Sequence, residues 1–390
     1  MSKAIESILV IMIILASYFT SWSQDNSIFL THNEISDTNS QKLNFSFEST
    51  SFVKNNEYFD HLKGWTGIGF FLKPQLIYQP AKTTEIQAGC FLEKYSGIDK
   101  FSSVVPLFRI RQKLGTKWEM VLGHLYGNLH HGLSEPMYRF DRYYSDNVEY
   151  GMQFLFKNKF ITNDFWSNWE KFIFQNDPFR EEFVMGNAFN AKFNLPGSFV
   201  LNIPFHFTWT HAGGQIYEHK PLRENIMSLY NLMTGLSVRY SPNPYQKQLN
   251  NNRLKFNNIS FDYNYFKYIA GSNPPPGDEF HQPYDDGHGT YFKMNADLGV
   301  VKTMLGYWRS SHFIAPRGEE IFLSAFGNGN DNQVPEVELL NFKIAYDRGI
   351  TDKIRLSFRT DLYYSLPLES VFYSYSIYFV YNDLFKIRRF

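Results

Sequence analysis

The residues of this 390-residue chain that could do chemistry fall into four groups. The loop Pro274 to Gly289, PPPGDEFHQPYDDGHG, gathers Asp278, Glu279, His281, Asp285, Asp286 and His288, which are hard and borderline ligands of the kind Ca2+ or Zn2+ takes. Their spacing matches no metal motif, and three prolines beside glycines mark an irregular exposed loop, so a solvated acidic loop is the plainer reading. His130 and His131, with His124 upstream, suggest a metal site or an acid/base pair. Adjacent residues on a strand point to opposite faces, so the two can act together only where the chain bends. The third group lies in SFVLNIPFHFTWTH, Ser198 to His211. His206, Thr208 and Thr210 share one face there, and His211 opens the flexible run Ala212-Gly213-Gly214. A hydrolase needs a serine beside such a histidine, itself oriented by a third group. The chain has serines but no G-x-S-x-G elbow.

The fourth group is a basic ladder, Arg109, Arg111 and Lys113, at every second position of one segment. Glu85, Gln87 and Glu93 alternate in the same way on the segment before it. Opposite charges on neighbouring strands either pair and seal a bore, or stay apart across water and set up a field that selects ions.

What positions these groups follows from composition and pattern. Aromatic residues make up 18% of the chain, yet mean hydropathy is −0.36 and charged residues are 19%. Rings diluted by polar neighbours suit alternating strands with one apolar face. Net charge is zero, so the basic footprint of a nucleic-acid binder is missing and no nucleic-acid partner is expected. Cys90 is the sole cysteine, which excludes an internal disulfide framework and a cysteine zinc site; no cofactor is expected. Lys3, the apolar run Ile8 to Ala16 and the small residues of Ser21-Trp22-Ser23 predict a signal peptide over 1–23. The apolar run is too short for a spanning helix, and no cysteine follows it for lipoprotein processing. The expected organisation is this signal, a short N-terminal periplasmic segment at 24–41, and one barrel at 42–390. With no other apolar stretch of spanning length, a membrane location requires a β-barrel.

Alternation and turn residues give about sixteen strands, with 14–18 allowed, beginning near Lys42, Thr66, Thr84, Ser103, Lys117, Asn147, Phe165, Phe183, Ser198, Ser228, Arg253, Gly289, Thr303, Pro335, Lys353 and Ser370. Connections after even-numbered strands are mostly tight and those after odd-numbered strands mostly long. Two depart from this: Ser241 to Asn252 is long for a turn, and Leu366 to Glu369 short for an outer loop. Asp262, Asp297, Arg355, Arg359 and Asp361 fall on polar faces with His206, Glu85, Glu93 and the basic ladder. Phe199, Leu201, Ile203, Phe205, Phe207 and Trp209 form an apolar face. A soluble sandwich and a membrane barrel share this period. Asn, Ser, Thr and Gly on the polar faces, Trp209, Tyr240 and Tyr381 at the ends of apolar faces, and alternating loop lengths favour the barrel. The polar set then lines a lumen and the apolar set meets lipid. Pro74, Pro106 and Pro204 fall inside strands, where bulges or shifted boundaries are expected to accommodate them.

With the signal peptide, the alternating strands, the long outer loops and the aromatic last residue Phe390, the chain resembles the Gram-negative outer-membrane β-barrel class, and its Asn, Lys, Phe and Tyr content is similar to that of Bacteroidetes barrels. It departs in its last residues, where Phe390 follows Lys386-Ile387-Arg388-Arg389 and clean alternation lies earlier, at Tyr373 to Tyr381. The resemblance implies an all-β, transmembrane, antiparallel up-and-down barrel in the cell outer membrane. Outer-membrane lipid and the barrel assembly machinery are its implied partners. At this strand number the expected function is a porin-like channel for a small polar solute. The alternatives are an outer-membrane enzyme with a filled lumen and a site at its rim, and a non-transporting barrel whose loops bind a partner or glycan.

Overall fold

The computed structural model describes residues 26–31, 35–58, 62–175, 177–214, 225–242, 254–326 and 332–389; residues 1–23, where a signal peptide is expected, and Arg253 and Phe390 lie outside them. The alternating segments form β1 Lys42–Glu57, β2 Trp65–Ala81, β3 Thr84–Tyr95, β4 Ser103–Leu114, β5 Trp118–His124, β6 Tyr150–Lys157, β7 Ile161–Lys171 and β8 Glu182–Leu195. They continue as β9 Phe199–Ala212, β10 Met227–Tyr240, β11 Leu254–Ser272, β12 Asp286–Gly299, β13 Val301–Ser311, β14 Glu336–Gly349, β15 Ile354–Ser365 and β16 Ser370–Arg389. Each strand pairs antiparallel with the next, and β16 closes on β1 from Lys42 opposite Arg389 to Glu57 opposite Tyr373. The result is a closed sixteen-strand barrel. No edge is left unpaired, which a lipid environment demands.

Connections at one end are tight, as at 82–83, 115–117, 196–198 and Val300, and those at the other include 125–149 and 312–335. The tight end is the periplasmic one. The expected bulges at the prolines are not there. Pro106 faces Cys90 and Pro204 faces Asn190 in unshifted register, and Pro74 faces Phe47. On the far side of Pro204 the pairs Phe205 with Thr234 and Asn202 with Ser237 keep one register, so only local rungs are lost. Pro106 lies beyond the end of β5, which covers only Arg109 to Leu114 of β4. A missing donor there interrupts little of the ladder.

Alternation sorts the wall into two faces. Phe199 and Phe205 are exposed on the outside, while His206, Thr208 and Thr210, on the other face of β9, are buried. The outer half of the lumen is filled by two inward loops. Loop 125–149 carries the short helices α1 Asn128–His131 and α2 Arg142–Ser145, and loop 312–335 carries a 3-10 turn at Glu320–Phe322. Phe313, Ile314, Ile321 and Phe322 pack with wall residues Phe266, Tyr291, Trp308 and Tyr363. Phe140 and Tyr144 pack with Phe52, Phe71 and Tyr378. Residues 26–31 also lie within this packing: Phe29 meets the rings of Phe140, Tyr143 and Tyr378, an apolar anchor for the segment.

Candidate functional site

Inside the barrel, ionic contacts fasten loop 125–149 to the wall. Lys54 of β1 pairs with Asp141 at 3.3 Å, and Lys343 of β14 pairs with Glu135 at 2.5 Å. Arg142 meets Glu170 of β7 at 2.8 Å, and Arg317 of the second loop meets the same carboxylate, its Nε at 3.1 Å. At the centre, His131 is fully buried, with Nδ1 2.8 Å from Asp164 and Nε2 2.8 Å from Glu149. Its ring stacks on Trp166 at 3.6 Å, and Tyr138 donates to the other oxygen of Glu149 at 2.6 Å. Burial alone would lower the imidazole pKa, but the two carboxylates outweigh it and raise it to about 9; in return the imidazolium holds Glu149 below the usual carboxylate range. Both ring nitrogens are therefore donors and both are engaged. This histidine is a fastener with no free nitrogen to act as a base.

The charged ladder takes the pairing outcome. Arg111 meets Glu85 at 2.5 Å and Glu119 at 2.8 Å. Arg109 donates to the carbonyls of His124, at 2.6 Å, and Leu125. Lys113 donates to the carbonyl of Ile35, Arg355 to that of Ser27, and Arg359 to the Asn26 side chain at 2.8 Å. These cations anchor the plug and the N-terminal segment, and do not stand apart across an open bore. Glu93 is buried at the outer end of β3, Asp361 lies 3.4 Å from Lys343, and Asp297 accepts from Asn257 and from the Gly299 amide. His206 and Asp262 line a separate cavity in the periplasmic half.

In the Pro274 to Gly289 loop the side chains weighed as metal ligands are engaged with separate partners. Arg180 clamps both oxygens of Asp278, Asn273 donates to Asp285 at 2.7 Å, Lys267 pairs with Asp286, and His281 Nδ1 meets the Pro274 carbonyl at 2.8 Å. Glu279 and His288 join no cluster: among the described residues no group of three or more His, Cys, Asp or Glu side chains is arranged to hold a metal ion. The ligands face separate partners because the loop folds back on its neighbours.

The serine that pattern reading could not place beside His211 is Ser228, directly opposite it across β9 and β10. Leu229 and Met233 point into the core, so Ser228 takes the outer face, as do Trp209 and His211. Ser228 Oγ lies 2.8 Å from His211 Nδ1, and His211 Nε2 lies 2.7 Å from the Gly213 carbonyl. A carbonyl only accepts, so Nε2 carries the proton and Nδ1 is left to accept from the serine hydroxyl. The orienting third group is thus a backbone oxygen at the start of the outer loop. Phe183 and Trp209 pack against the imidazole at 4.9 and 5.5 Å, Trp169 extends the row, and the Trp209 indole lies 3.4 Å from Ser228 Oγ. The pair sits in the outer aromatic girdle, at headgroup level.

A family model described as lipid A 3'-O-deacylase-type matches residues 35–390, nearly the whole chain. The chain belongs to that family. Among solved structures, OprD of Pseudomonas aeruginosa superposes with a TM-score of 0.50 at 8% identity, covering 88% of this chain and 96% of its own. OccAB1 of Acinetobacter baumannii gives a TM-score of 0.50 at 9% identity, covering 90% of this chain and all of its own. At such identities they share its fold, that of an outer-membrane porin-like β-barrel, and the family member described here resides in the outer membrane. No curated protein matches the chain.

Proposed function

We propose that this barrel is an outer-membrane hydrolase that removes an ester-linked acyl chain from a lipid A-type glycolipid. The observation that carries the reading is the Ser228 to His211 to Gly213 carbonyl relay on the lipid-facing rim, in a chain whose family is described by that activity. His211 Nδ1 takes the proton of Ser228 as Oγ attacks the ester carbonyl, and returns it to the departing sugar oxygen. Water, activated by the same nitrogen, then cleaves the serine ester to release the fatty acid. The Gly213 carbonyl keeps Nε2 protonated and the ring in plane. Ser228 is 8% exposed, so Trp209 has to swing off Oγ before an ester can reach it.

The test is acyl release from purified lipid A by the refolded protein, followed by mass spectrometry, with Ser228→Ala and His211→Gln as variants. Release by the wild type and loss in both variants supports the proposal. Equal release by Ser228→Ala overturns the assignment of the nucleophile, and no release by the wild type overturns the activity.

A channel for small polar solutes is the second reading. Cavities of 550 and 520 Å3 in the periplasmic half of the lumen favour it, both reaching His130 beneath the plug. Conduction would require the packed outer half to open, and planar-bilayer conductance of the refolded protein decides it.

A further inference from the structure

At the periplasmic end of β5 to β8 the wall carries four lysines on neighbouring stretches of chain: Lys117 just before β5, Lys157 at the end of β6, Lys159 in the turn to β7 and Lys192 near the end of β8. All four are exposed. Backbone bonds set these stretches side by side, since the Lys157 amide donates to the Lys117 carbonyl at 3.0 Å and the Lys192 amide to the Phe160 carbonyl at 2.6 Å. The segments 114–118, 156–161 and 190–199 contain no Asp or Glu. Other lysines at this end of the barrel are paired, Lys82 with Asp37 at 3.3 Å, Lys302 with Asp347 at 3.1 Å and Lys353 with Asp383 at 2.5 Å. Among the described residues no carboxylate pairs with any of the four. The two carboxylates behind them in the lumen, Glu119 and Asp164, instead meet Arg111 and His131, each at 2.8 Å. Like charges gathered on one rim repel, and an anion from outside the wall relieves them.

The neighbours of the lysines indicate what kind of anion. Lys117, Lys159 and Lys192 are each followed at once by an exposed ring, Trp118, Phe160 and Phe193. Trp118 packs on Phe156 at 4.7 Å, and the Lys159 ammonium lies over the Phe160 ring at 5.3 Å. Exposed rings at a strand end mark the level where acyl chains meet headgroups. Lysine stems can lie along such apolar surface while their ammonium groups stay in the headgroup layer. A soluble acidic partner would engage the lysines alone, whereas an anionic lipid engages both the lysines and the rings. We propose that this rim binds an anionic phospholipid of the periplasmic leaflet, with its phosphate among the ammonium groups of Lys117, Lys157, Lys159 and Lys192 and its acyl chains along Trp118, Phe156, Phe160 and Phe193. The patch is at the opposite end of the barrel from Ser228, and the inference does not rest on the hydrolase reading.

Native mass spectrometry of the full-length protein in detergent, titrated with phosphatidylglycerol or with phosphatidylcholine of the same acyl chains, tests it. The first phosphatidylglycerol should be retained at a concentration about tenfold lower than the first phosphatidylcholine, and raising the ionic strength about tenfold should remove most of that preference. Lys117→Gln, Lys157→Gln, Lys159→Gln and Lys192→Gln combined should bring the two lipids to within about twofold of each other. Lys82→Gln with Lys353→Gln, at paired positions of the same end, should keep the preference. If the combined variant does not refold, Lys159→Gln with Lys192→Gln carries the test, with the preference expected to fall about threefold. Ser228→Ala should retain the lipid as the wild type does, which separates this result from the outcome of the acyl-release assay. Equal retention of the two lipids by the wild type, or an unchanged preference in the refolded glutamine variants, would overturn the proposal. Tighter binding of soluble poly-glutamate than of phosphatidylglycerol would overturn it too, by assigning the patch to an acidic protein.

Discussion

His131 in the plug and His211 on the rim are each held at both ring nitrogens, and they differ in what holds them. His131 lies between two carboxylates, which demand that both nitrogens be protonated. His211 lies between a carbonyl, which fixes one proton, and a hydroxyl, which can surrender one. Burial sharpens the contrast: His131 is sealed under Trp166, whereas His211 is partly exposed among girdle aromatics. The same side chain is a structural cation in one place and a base in the other, and the partner's ability to donate decides which.

Removing each histidine should therefore break different things. Ser228→Ala or His211→Gln should lower acyl release by about three orders of magnitude or more, as loss of a nucleophile or its base does elsewhere, with heat-modifiable gel mobility unchanged. His131→Ala should leave acyl chemistry intact at low temperature but destabilise the plug by about 3 to 5 kcal/mol, because it strands Glu149 and Asp164. Hydrogen exchange across Asn128–His131 is the readout.

The pH dependence of that exchange sharpens the same comparison. The imidazole pKa rises from an ordinary 6.5 to about 9 in the folded plug, a difference of 2.5 that corresponds to on the order of 3 kcal/mol. A raised pKa gives stabilisation that is fully present below pH 6.5 and is lost as pH climbs through 9. Protection of α1 should fall across that window in the wild type. In His131→Ala this fall should be absent, and a fall of equal size there would assign the pH dependence to other groups.

The wall and the plug were not equally legible in the sequence. A strand's two-residue period survives translation along the barrel, so all sixteen strands start within four residues of where alternation and turns put them. No such period runs through 125–149. Read as strand, His130-His131 has opposed side chains; on α1 the chain bends, and His131 reaches Glu149 and Asp164, 18 and 33 residues away. Ser228 escaped notice for a related reason. Its pairing with His211 depends on the register between β9 and β10, which a long outer loop leaves unspecified by local sequence. The charges of the ladder were visible, but the carbonyls that Arg109, Lys113 and Arg355 bind belong to inward segments whose course only folding reveals.

The inside and outside of one strand offer a smaller contrast. Phe205 is 43% exposed on the outer face and His206 is buried beside it. Phe205→Arg should cost roughly 2 to 4 kcal/mol if it lies near the midplane of the bilayer, whereas His206→Arg should disturb folding less. Refolding yield into liposomes compares the two, and greater damage from position 206 would invert the faces of β9.

The smallest expected effect concerns how lipid reaches the rim. In the connection after β7, Phe172 and Phe174 are 62% and 74% exposed, their rings 5.3 Å apart. The Asp177 carboxylate accepts the Phe174 amide at 2.8 Å, which fixes the turn that presents them. Trp169, three residues before Phe172, stacks on Phe183, which packs against His211, so one row of rings leads from this tip to the base. Such rings gain by leaving water for the headgroup boundary, each by less than the 1.5 to 3 kcal/mol or so of full burial. Phe172→Ser with Phe174→Ser should therefore raise the lipid concentration needed for half-maximal acyl release by about three- to tenfold and leave the turnover at saturation unchanged. A fall in turnover instead would mean that the tip positions the Ser228 and His211 pair through the aromatic row, and no change in either would place the tip in water.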